Sequence, residues 1–157
     1  MREFIDGTVR QALDERRLVG VEVMVNHRGK TLYHQASGFV DREKQRLMAT
    51  HTRFRLASVS KPIVTTAAMV LVQQGKLRLD ESVQRYLPTF TPRLPDGRSA
   101  TITIRQLMNH TAGLGYRFLE SSADGPYARA GVSDGMDASG LTLTENVLRI
   151  ATVPLLF

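Results

Sequence analysis

Cysteine is absent from this 157-residue chain, and its absence excludes several kinds of site. Without thiols the chain can form no disulfide framework, no cysteine nucleophile and no cysteine-ligated zinc centre. The lack of cysteine also fits a reducing compartment. Long apolar runs are missing as well, so no segment predicts a span across a bilayer. The first residues, Met1–Asp6, carry charges where a signal peptide would need an apolar run, which favours a cytoplasmic protein.

A concentrated basic surface is also missing, although the formal net charge is +6. The arginines are scattered along the chain and no basic run is interleaved with aromatic residues, which favours solvated surface charge over a nucleic-acid partner. The histidines match no spacing of metal ligands, since His27 and His34 fall on predicted strands and His110 at a helix end. We therefore expect no metal or other cofactor, and neither nucleic acid nor membrane as a partner.

The first third of the chain predicts a helix followed by a hairpin. Residues 3–18 carry apolar side chains at helical spacing, and Gly20 ends that pattern. Val21–Val25 and Thr31–Ala36 are β-forming runs on either side of a glycine-containing turn, which predicts an antiparallel hairpin. After Asp41 a charged, irregular segment is expected.

The remainder of the chain predicts mainly helices. A long apolar helix should run from Ser58 to about Gln74 and be closed by Gly75. Further predicted elements are a short helix entered through Asp80 and ending at Pro88, a helix capped by Thr103, a loop over residues 115–140 and a helix over residues 144–150. Two strands alone cannot form a stable sheet, so the pattern predicts part of an α+β fold that needs further strands.

The tetrapeptide Ser58-Val59-Ser60-Lys61 carries the main functional signal. A serine hydroxyl is a weak nucleophile at neutral pH and needs a partner that takes its proton. If Ser58 opens the helix, Lys61 lies one turn further on the same face, within reach of the hydroxyl. The amides at a helix start also favour a developing negative charge. The pattern predicts covalent catalysis; the alternative is a serine cap followed by a solvated lysine.

Four blocks of sequence extend this signal over nearly the whole chain. They are Gly20–Gly38, Phe54–Pro62, Gly75–Asp80 and Thr103–Tyr116. In this order they resemble the serine β-lactamase and penicillin-binding-protein superfamily, specifically its class C-like branch and the family VIII carboxylesterases. The resemblance implies an α+β fold, with an antiparallel sheet, flanking helices and a helical region, of which this chain forms the N-terminal part.

The resemblance also implies roles for individual residues. Ser58 would be the acylated nucleophile, Lys61 its proton-accepting partner, and the backbone amide of Ser58 one donor to the oxyanion hole. The implied reaction is attack on an ester or strained amide carbonyl, followed by hydrolysis of an acyl-serine intermediate, without a metal. Tyr116 and the loop over residues 115–140 are candidates for the substrate entrance; the alternative is that they anchor a packed loop.

Two motifs of this family are not found in residues 1–157. The family's Tyr-x-Asn or Tyr-x-Ser motif has no match, because Tyr116 is followed by Arg117-Phe118 and Tyr127 by Ala128-Arg129. The Lys-Thr-Gly-like or His/Trp-x-Gly triplet, which supplies the other oxyanion donor, has no match either. We therefore expect residues 1–157 to be the N-terminal portion of one hydrolase domain, truncated before the Tyr-x-Asn/Ser motif and inactive by itself.

These expectations combine into a serine carboxylesterase that cleaves small acyl esters. Its partners would be a small ester or β-lactam-like substrate and the C-terminal part of the same protein, present as a separate chain. Among enzymes, the alternative is a β-lactamase or D-alanyl-D-alanine peptidase, because the same acyl-serine chemistry serves both. Outside enzymes, the alternative is a non-catalytic fragment that pairs with a second chain. No Gly-x-Ser-x-Gly elbow supports an α/β-hydrolase.

Overall fold

The computed structural model of the chain describes residues 1–135, 137 and 139–157. They divide into two compact units, Met1–Arg55 and Leu56–Phe157. The first unit contains helix α1 (Arg2–Asp14) and strands β1 (Gly20–His27), β2 (Lys30–Asp41) and β3 (Arg46–Leu47). The second contains helices α2 (Ser60–Gln73), α3 (Ile104–Met108), α4 (Pro126–Arg129) and α5 (Leu143–Ala151). Helices and antiparallel strands together confirm the predicted α+β class.

In the first unit, the predicted hairpin is confirmed as the antiparallel pair β1–β2. Arg28 and Gly29 form the two-residue turn, and both have positive φ, as a tight hairpin with the natural strand twist requires. A third strand, β3, pairs with the end of β2 through Phe39 and Leu47. The segment after Asp41, which was predicted to be irregular, therefore contains one two-residue strand that the sequence did not predict, because the chain turns back and adds backbone hydrogen bonds to the sheet.

Helix α1 ends four residues before the predicted boundary. Arg16 adopts a left-handed conformation, with φ of 57°, and the amides of Arg17 and Leu18 both donate to the carbonyl of Ala12. This arrangement satisfies a terminal carbonyl and turns the chain out of the helix. The hydroxyl of Tyr33, a buried residue of β2, donates to the carboxylate of Asp6 and so fixes α1 on the sheet.

The second unit is built around a core of loops and short helices. Its main cluster of buried side chains comprises Val83, Phe90, Ala100, Ile102, Ile104, Ala112 and Leu155. A second cluster comprises Tyr127, Val132 and Val153, against which the α5 residue Ile150 packs. The segment after α5 contributes to both clusters, and the amide of Leu156 donates to the carbonyl of Gly113.

Helix α2 confirms the long apolar helix, with one correction at its start. The helix begins at Ser60, and Ser58 lies in a single 3-10 turn, Ala57–Val59, that leads into it. At the other end, Gly75 has a φ of 69° and its amide donates to the carbonyl of Val72, so the predicted glycine terminator is confirmed. Among the described residues, no side chain of α2 is fully buried, and Ile63 and Val64 are 59% and 65% exposed.

The shorter predicted helices have mixed outcomes. Thr103 caps α3 and Thr142 caps α5, each in a reciprocal capping box, which confirms both helices. The helix expected from Asp80 to Pro88 is a 3-10 turn, Val83–Arg85, capped by Ser82. Its first amide, on Val83, donates to the carbonyl of Ile102 rather than continuing a helical ladder.

The predicted loop over residues 115–140 contains two elements that the sequence did not predict. They are a 3-10 turn, Arg117–Leu119, and helix α4, which begins with a proline in its first turn. Met136 and Ala138, which fall inside this predicted loop, lie outside the described residues. Within the described part of the chain, no helix combines the length and apolar character needed to cross a membrane.

Candidate active site

Ser58 and Lys61 are in direct contact. The Nζ atom of Lys61 donates to the Oγ atom of Ser58 at 2.8 Å. Ser58 is exposed and Lys61 is half-buried, so the hydroxyl is open to a substrate while part of the lysine stem is covered. A lysine at hydrogen-bond distance from a serine hydroxyl is the arrangement by which a base takes the proton of an attacking nucleophile.

The backbone before Ser58 explains how the hydroxyl reaches Lys61. Ala57 has a φ of 45°, a left-handed conformation that is uncommon for a residue with a side chain. The amide of Val59 donates to the carbonyl of Leu56 and closes the 3-10 turn. This tight turn joins α2 at Ser60, and it sets Ser58 and Lys61 on the same side of the chain. Residues in such strained conformations cluster at active sites, where the surrounding structure holds them.

Tyr116 is the third predicted site residue, and the structure brings it to the same place. The centroid of its ring lies 5.6 Å from Nζ of Lys61. That distance is within the range at which an aromatic face attracts an ammonium group. The ring also packs against Phe118, with ring centroids 4.9 Å apart and planes tilted by 32°. All three residues named from the sequence, Ser58, Lys61 and Tyr116, therefore lie together in the second unit.

The peptide groups around Tyr116 are held by two side chains that sequence reasoning did not identify. The amide of Gly115 donates to the hydroxyl oxygen of Tyr127 at 2.7 Å. The amides of Arg117 and Phe118 donate to the two carboxylate oxygens of Asp134 at 3.0 and 3.1 Å. Asp134 lies 17 and 16 residues along the chain from these partners, so no local pattern could have paired them.

Tyr127 is itself firmly placed by its helix. The carboxylate of Glu120 accepts hydrogen bonds from the amides of Tyr127 and Ala128 at 2.7 and 3.0 Å, which satisfies the first turn of α4. A side chain on Gly125 would collide with the carboxylate of Glu120 in this position, so a larger residue there would displace the carboxylate from the start of α4. Burial raises the pKa of the Tyr127 hydroxyl, and the hydrogen bond from Gly115 opposes that shift. The phenol therefore stays neutral and acts as the acceptor for Gly115.

An open groove and a smaller cavity are among the cavities that border this group of residues. An open groove of about 710 Å³ has Lys61 on its wall and is otherwise mostly apolar, with Val64, Leu77, Leu107 and Met108 among its lining residues. A smaller cavity of about 260 Å³ is lined by Tyr116, Tyr127 and Asp134 together with apolar side chains of the core. His110, which has a φ of 63°, lines both cavities.

Among the described residues, no three histidine, aspartate or glutamate side chains lie close enough together to hold a metal ion. His110 follows α3 and lines both cavities. In the smaller cavity it is accompanied by the carboxylate of Asp134, and the lining of the groove contains no other histidine, aspartate or glutamate. The contact between Ser58 and Lys61 offers the chemistry of a hydroxyl beside an amine.

Comparison with known proteins matches the chain to one family. The family model for beta-lactamase matches residues 5–157. Esterase EstB of Burkholderia gladioli is 50% identical over 153 residues, which are 98% of this chain and 39% of EstB. Penicillin-binding protein 4* of Bacillus subtilis (strain 168) is 33% identical over 107 residues, 68% of this chain and 22% of that protein.

A solved structure gives the same result for the fold. EstCE1, described as a hydrolase with promiscuous acyltransferase activity, superposes with a TM-score of 0.93 at 48% sequence identity. The match covers 99% of this chain and 41% of EstCE1, so the chain spans about two fifths of the length of EstCE1 and of EstB. Family model, sequence identity and fold agree over nearly all of residues 1–157, and the chain belongs to the beta-lactamase family.

Proposed function

We propose that this chain supplies the nucleophile and the base of a serine carboxylesterase that cleaves small acyl esters. The observation that carries the proposal is the 2.8 Å hydrogen bond between Nζ of Lys61 and Oγ of Ser58. Membership of a family that includes EstB, an esterase, supports the choice of ester substrates. The mostly apolar groove beside Lys61 supports an apolar acyl group, since apolar surfaces associate in water.

The proposed reaction has two halves. In the first, the amine of Lys61 takes the proton of the Ser58 hydroxyl while Oγ attacks the ester carbonyl carbon. The backbone amide of Ser58 donates to the resulting oxyanion, and the alcohol leaves with the proton that Lys61 took from Ser58. In the second half, water attacks the acyl-serine carbonyl, the carboxylic acid leaves and the Ser58 hydroxyl is restored.

We also propose that residues 1–157 are inactive by themselves. The chain covers 39% of EstB and 41% of EstCE1, so the larger part of each relative has no counterpart in it. The second donor of the oxyanion hole and the tyrosine that shares proton transfer with Lys61 would come from that larger part, either in the same polypeptide or as a separate chain. The apolar side chains that α2 exposes, such as Ile63 and Val64, would gain cover from it.

Labelling of Ser58 tests the proposal. Two preparations are compared: residues 1–157, and the same residues joined to the part of EstB that follows its matched N-terminal portion, called the extended chain below. We expect a fluorophosphonate to add to Ser58 of the extended chain, as seen by intact and peptide mass spectrometry, and p-nitrophenyl esters to be hydrolysed. Ser58→Ala should abolish both, whereas Ser60→Ala, two residues away, should keep both.

The outcomes separate the two parts of the proposal. A folded extended chain that neither takes the label nor hydrolyses esters contradicts the esterase function and favours a non-catalytic fragment. Labelling and ester turnover by residues 1–157 alone contradict the need for the missing part.

One alternative activity has support of its own. The 33% identity to penicillin-binding protein 4* keeps a β-lactamase or D-alanyl-D-alanine peptidase as the second candidate. Turnover of a chromogenic cephalosporin or of a D-alanyl-D-alanine peptide faster than of p-nitrophenyl esters would favour it. The cytoplasmic location expected from the sequence stays a prediction, which cell fractionation would test.

A further inference from the structure

The Tyr116 ring is fixed by contacts on both sides of its own residue. Before it, the amide of Gly115 is bound to the hydroxyl of Tyr127; after it, the amides of Arg117 and Phe118 are bound to Asp134. We call Tyr127 and Asp134 the Tyr116 clamp. Because a peptide group held at each end leaves the intervening residue little freedom in φ and ψ, the clamp sets the direction in which the Tyr116 side chain leaves the backbone.

The clamp is anchored in well-packed parts of the second unit. Tyr127 is 4% exposed and packs in the cluster with Val132 and Val153. Asp134 follows Ser133, whose amide and carbonyl are both bound by the side chain of Asn146 in α5. Two separate elements, α4 and α5, thus hold the two halves of the clamp in place.

The clamp orients the face of the Tyr116 ring that lies next to Lys61. Stacking against Phe118 restricts rotation of the Tyr116 side chain, and the ring centroid lies 5.6 Å from Nζ of Lys61. Lys61 has a long flexible side chain with many rotamers of similar energy. The ring on one side and the Ser58 hydroxyl on the other restrict Nζ to the position from which it reaches Oγ.

We propose that Tyr127 and Asp134 are positioning residues for acylation: through the Tyr116 ring they hold Nζ of Lys61 beside Oγ of Ser58. This inference rests on the proposed function, in which Lys61 takes the proton of Ser58. It predicts that damage to the clamp slows the acylation of Ser58, because a displacement of about 1 Å in a catalytic group costs up to about a hundredfold in rate. Binding of a small ester should change little, since among the described residues neither clamp side chain forms a hydrogen bond or a ring contact with Ser58 or Lys61.

The test measures the rate of Ser58 acylation in the extended chain. The variants are Tyr127→Phe, which removes one hydroxyl, and Asp134→Asn, which removes one of two acceptor oxygens. Each substitution is made alone and together with Tyr116→Leu. For every variant, two rate constants are measured: that of fluorophosphonate labelling and that of single-turnover acylation by a p-nitrophenyl ester. Both are compared with the values for the unsubstituted extended chain. Tyr86→Phe and Asp96→Asn are the matched controls, because they make the same exchanges at side chains that accept from the amides of Arg78 and Arg98, away from the clamp and from both cavities.

We expect Tyr127→Phe and Asp134→Asn each to slow acylation about ten- to hundredfold while KM stays within about threefold. In the Tyr116→Leu background the same substitutions should slow it less than about twofold, because their effect passes through the ring. The controls Tyr86→Phe and Asp96→Asn should acylate at nearly the original rate.

Three results would overturn the inference. The first is an undiminished acylation rate in folded Tyr127→Phe and Asp134→Asn. The second is an equal loss of acylation rate whether residue 116 is tyrosine or leucine, which would mean that the clamp acts on stability alone. The melting temperature of each variant is measured alongside, and Tyr127→Phe carries the comparison if Asp134→Asn does not fold. An unsubstituted extended chain that fails to acylate overturns the proposed function and the clamp together, whereas normal acylation with insensitive variants overturns the clamp alone.

Discussion

Lys61 donates to the hydroxyl of Ser58 at 2.8 Å across the junction between a 3-10 turn and helix α2. The contact does not depend on Ser58 being inside the helix. The 3-10 turn keeps residues three apart on the same side, as an α-helix does approximately, so the Ser-x-x-Lys spacing gives the contact in either geometry. The left-handed Ala57 then places the pair at the start of the helix, where the hydroxyl is exposed.

Replacement of Lys61 should remove base catalysis without removing the nucleophile. In the extended chain we expect Lys61→Met to lower kcat/KM for p-nitrophenyl acetate by about a hundredfold to ten-thousandfold, the usual contribution of a general base. Lys76→Met, at an exposed lysine beyond the end of α2, is the matched control and should change kcat/KM less than about twofold. Equal rates for the two variants would rule out Lys61 as the base.

The ion pair between Asp80 and Arg105 should make stability depend on pH. Arg105 donates to both carboxylate oxygens of Asp80, at 2.7 and 3.0 Å, and these hydrogen bonds lower the pKa of Asp80 from its ordinary value near 3.8. A lowered folded-state pKa contributes stability that is present above the ordinary value and is lost as pH falls through the lowered one. Asp80→Asn should therefore reduce the melting temperature at pH 7, and the reduction should shrink as the pH falls below about 3.8.

Because Asp80 is 79% exposed, that reduction should be small and should shrink further in about 1 M NaCl. The melting temperature is measured by calorimetry across this pH range. As a control, Arg105→Gln already lacks the pair, so adding Asp80→Asn to it should leave the pH profile unchanged. A profile that still shifts would show that Asp80 stabilises the fold through some other contact.

The capping box of α3 should contribute measurably to stability. The side chain of Thr103 accepts from the amide of Gln106 at 3.2 Å, and the side chain of Gln106 accepts from the amide of Thr103 at 2.8 Å. We expect Thr103→Ala to lower the free energy of unfolding by about 1 kcal/mol, the typical loss for such a cap. Urea unfolding gives the value, and Thr101→Ala, at an exposed position outside the helix, should change it by less than about 0.5 kcal/mol.

Two glycines of the first unit should respond to alanine in opposite directions. Gly38 has a φ of 80°, and a Cβ there would collide with the carbonyl oxygen of Val19. Gly38→Ala should destabilise the chain by more than about 1 kcal/mol. Gly7 lies within α1 with no atom near an added Cβ, so Gly7→Ala should stabilise by about 0.5–1 kcal/mol. Denaturant midpoints compare the two, and a stable Gly38→Ala protein would show that the close backbone approach can relax.

Elements whose signals lie within a few residues were predictable from the sequence. The hairpin turn at Arg28-Gly29, the Gly75 terminator and the Thr103 cap each rest on contacts between residues close in the chain. The same holds for Ser58 and Lys61, whose spacing brings them into contact whichever helix type forms. Family membership was predictable too, because the order of several such blocks is more specific than any one of them.

The tertiary structure decided what depends on packing between distant segments. The short strand β3 forms because a charged segment makes backbone hydrogen bonds with the end of β2. The 3-10 turn at Val83 forms because the amide of Val83 donates to the carbonyl of Ile102. Tyr116 could be named as a candidate from the sequence, but its place over Lys61 could not. That place depends on Tyr127 and Asp134, whose partners are distant in sequence, and such contacts are set by how loops fold against a core rather than by any local preference.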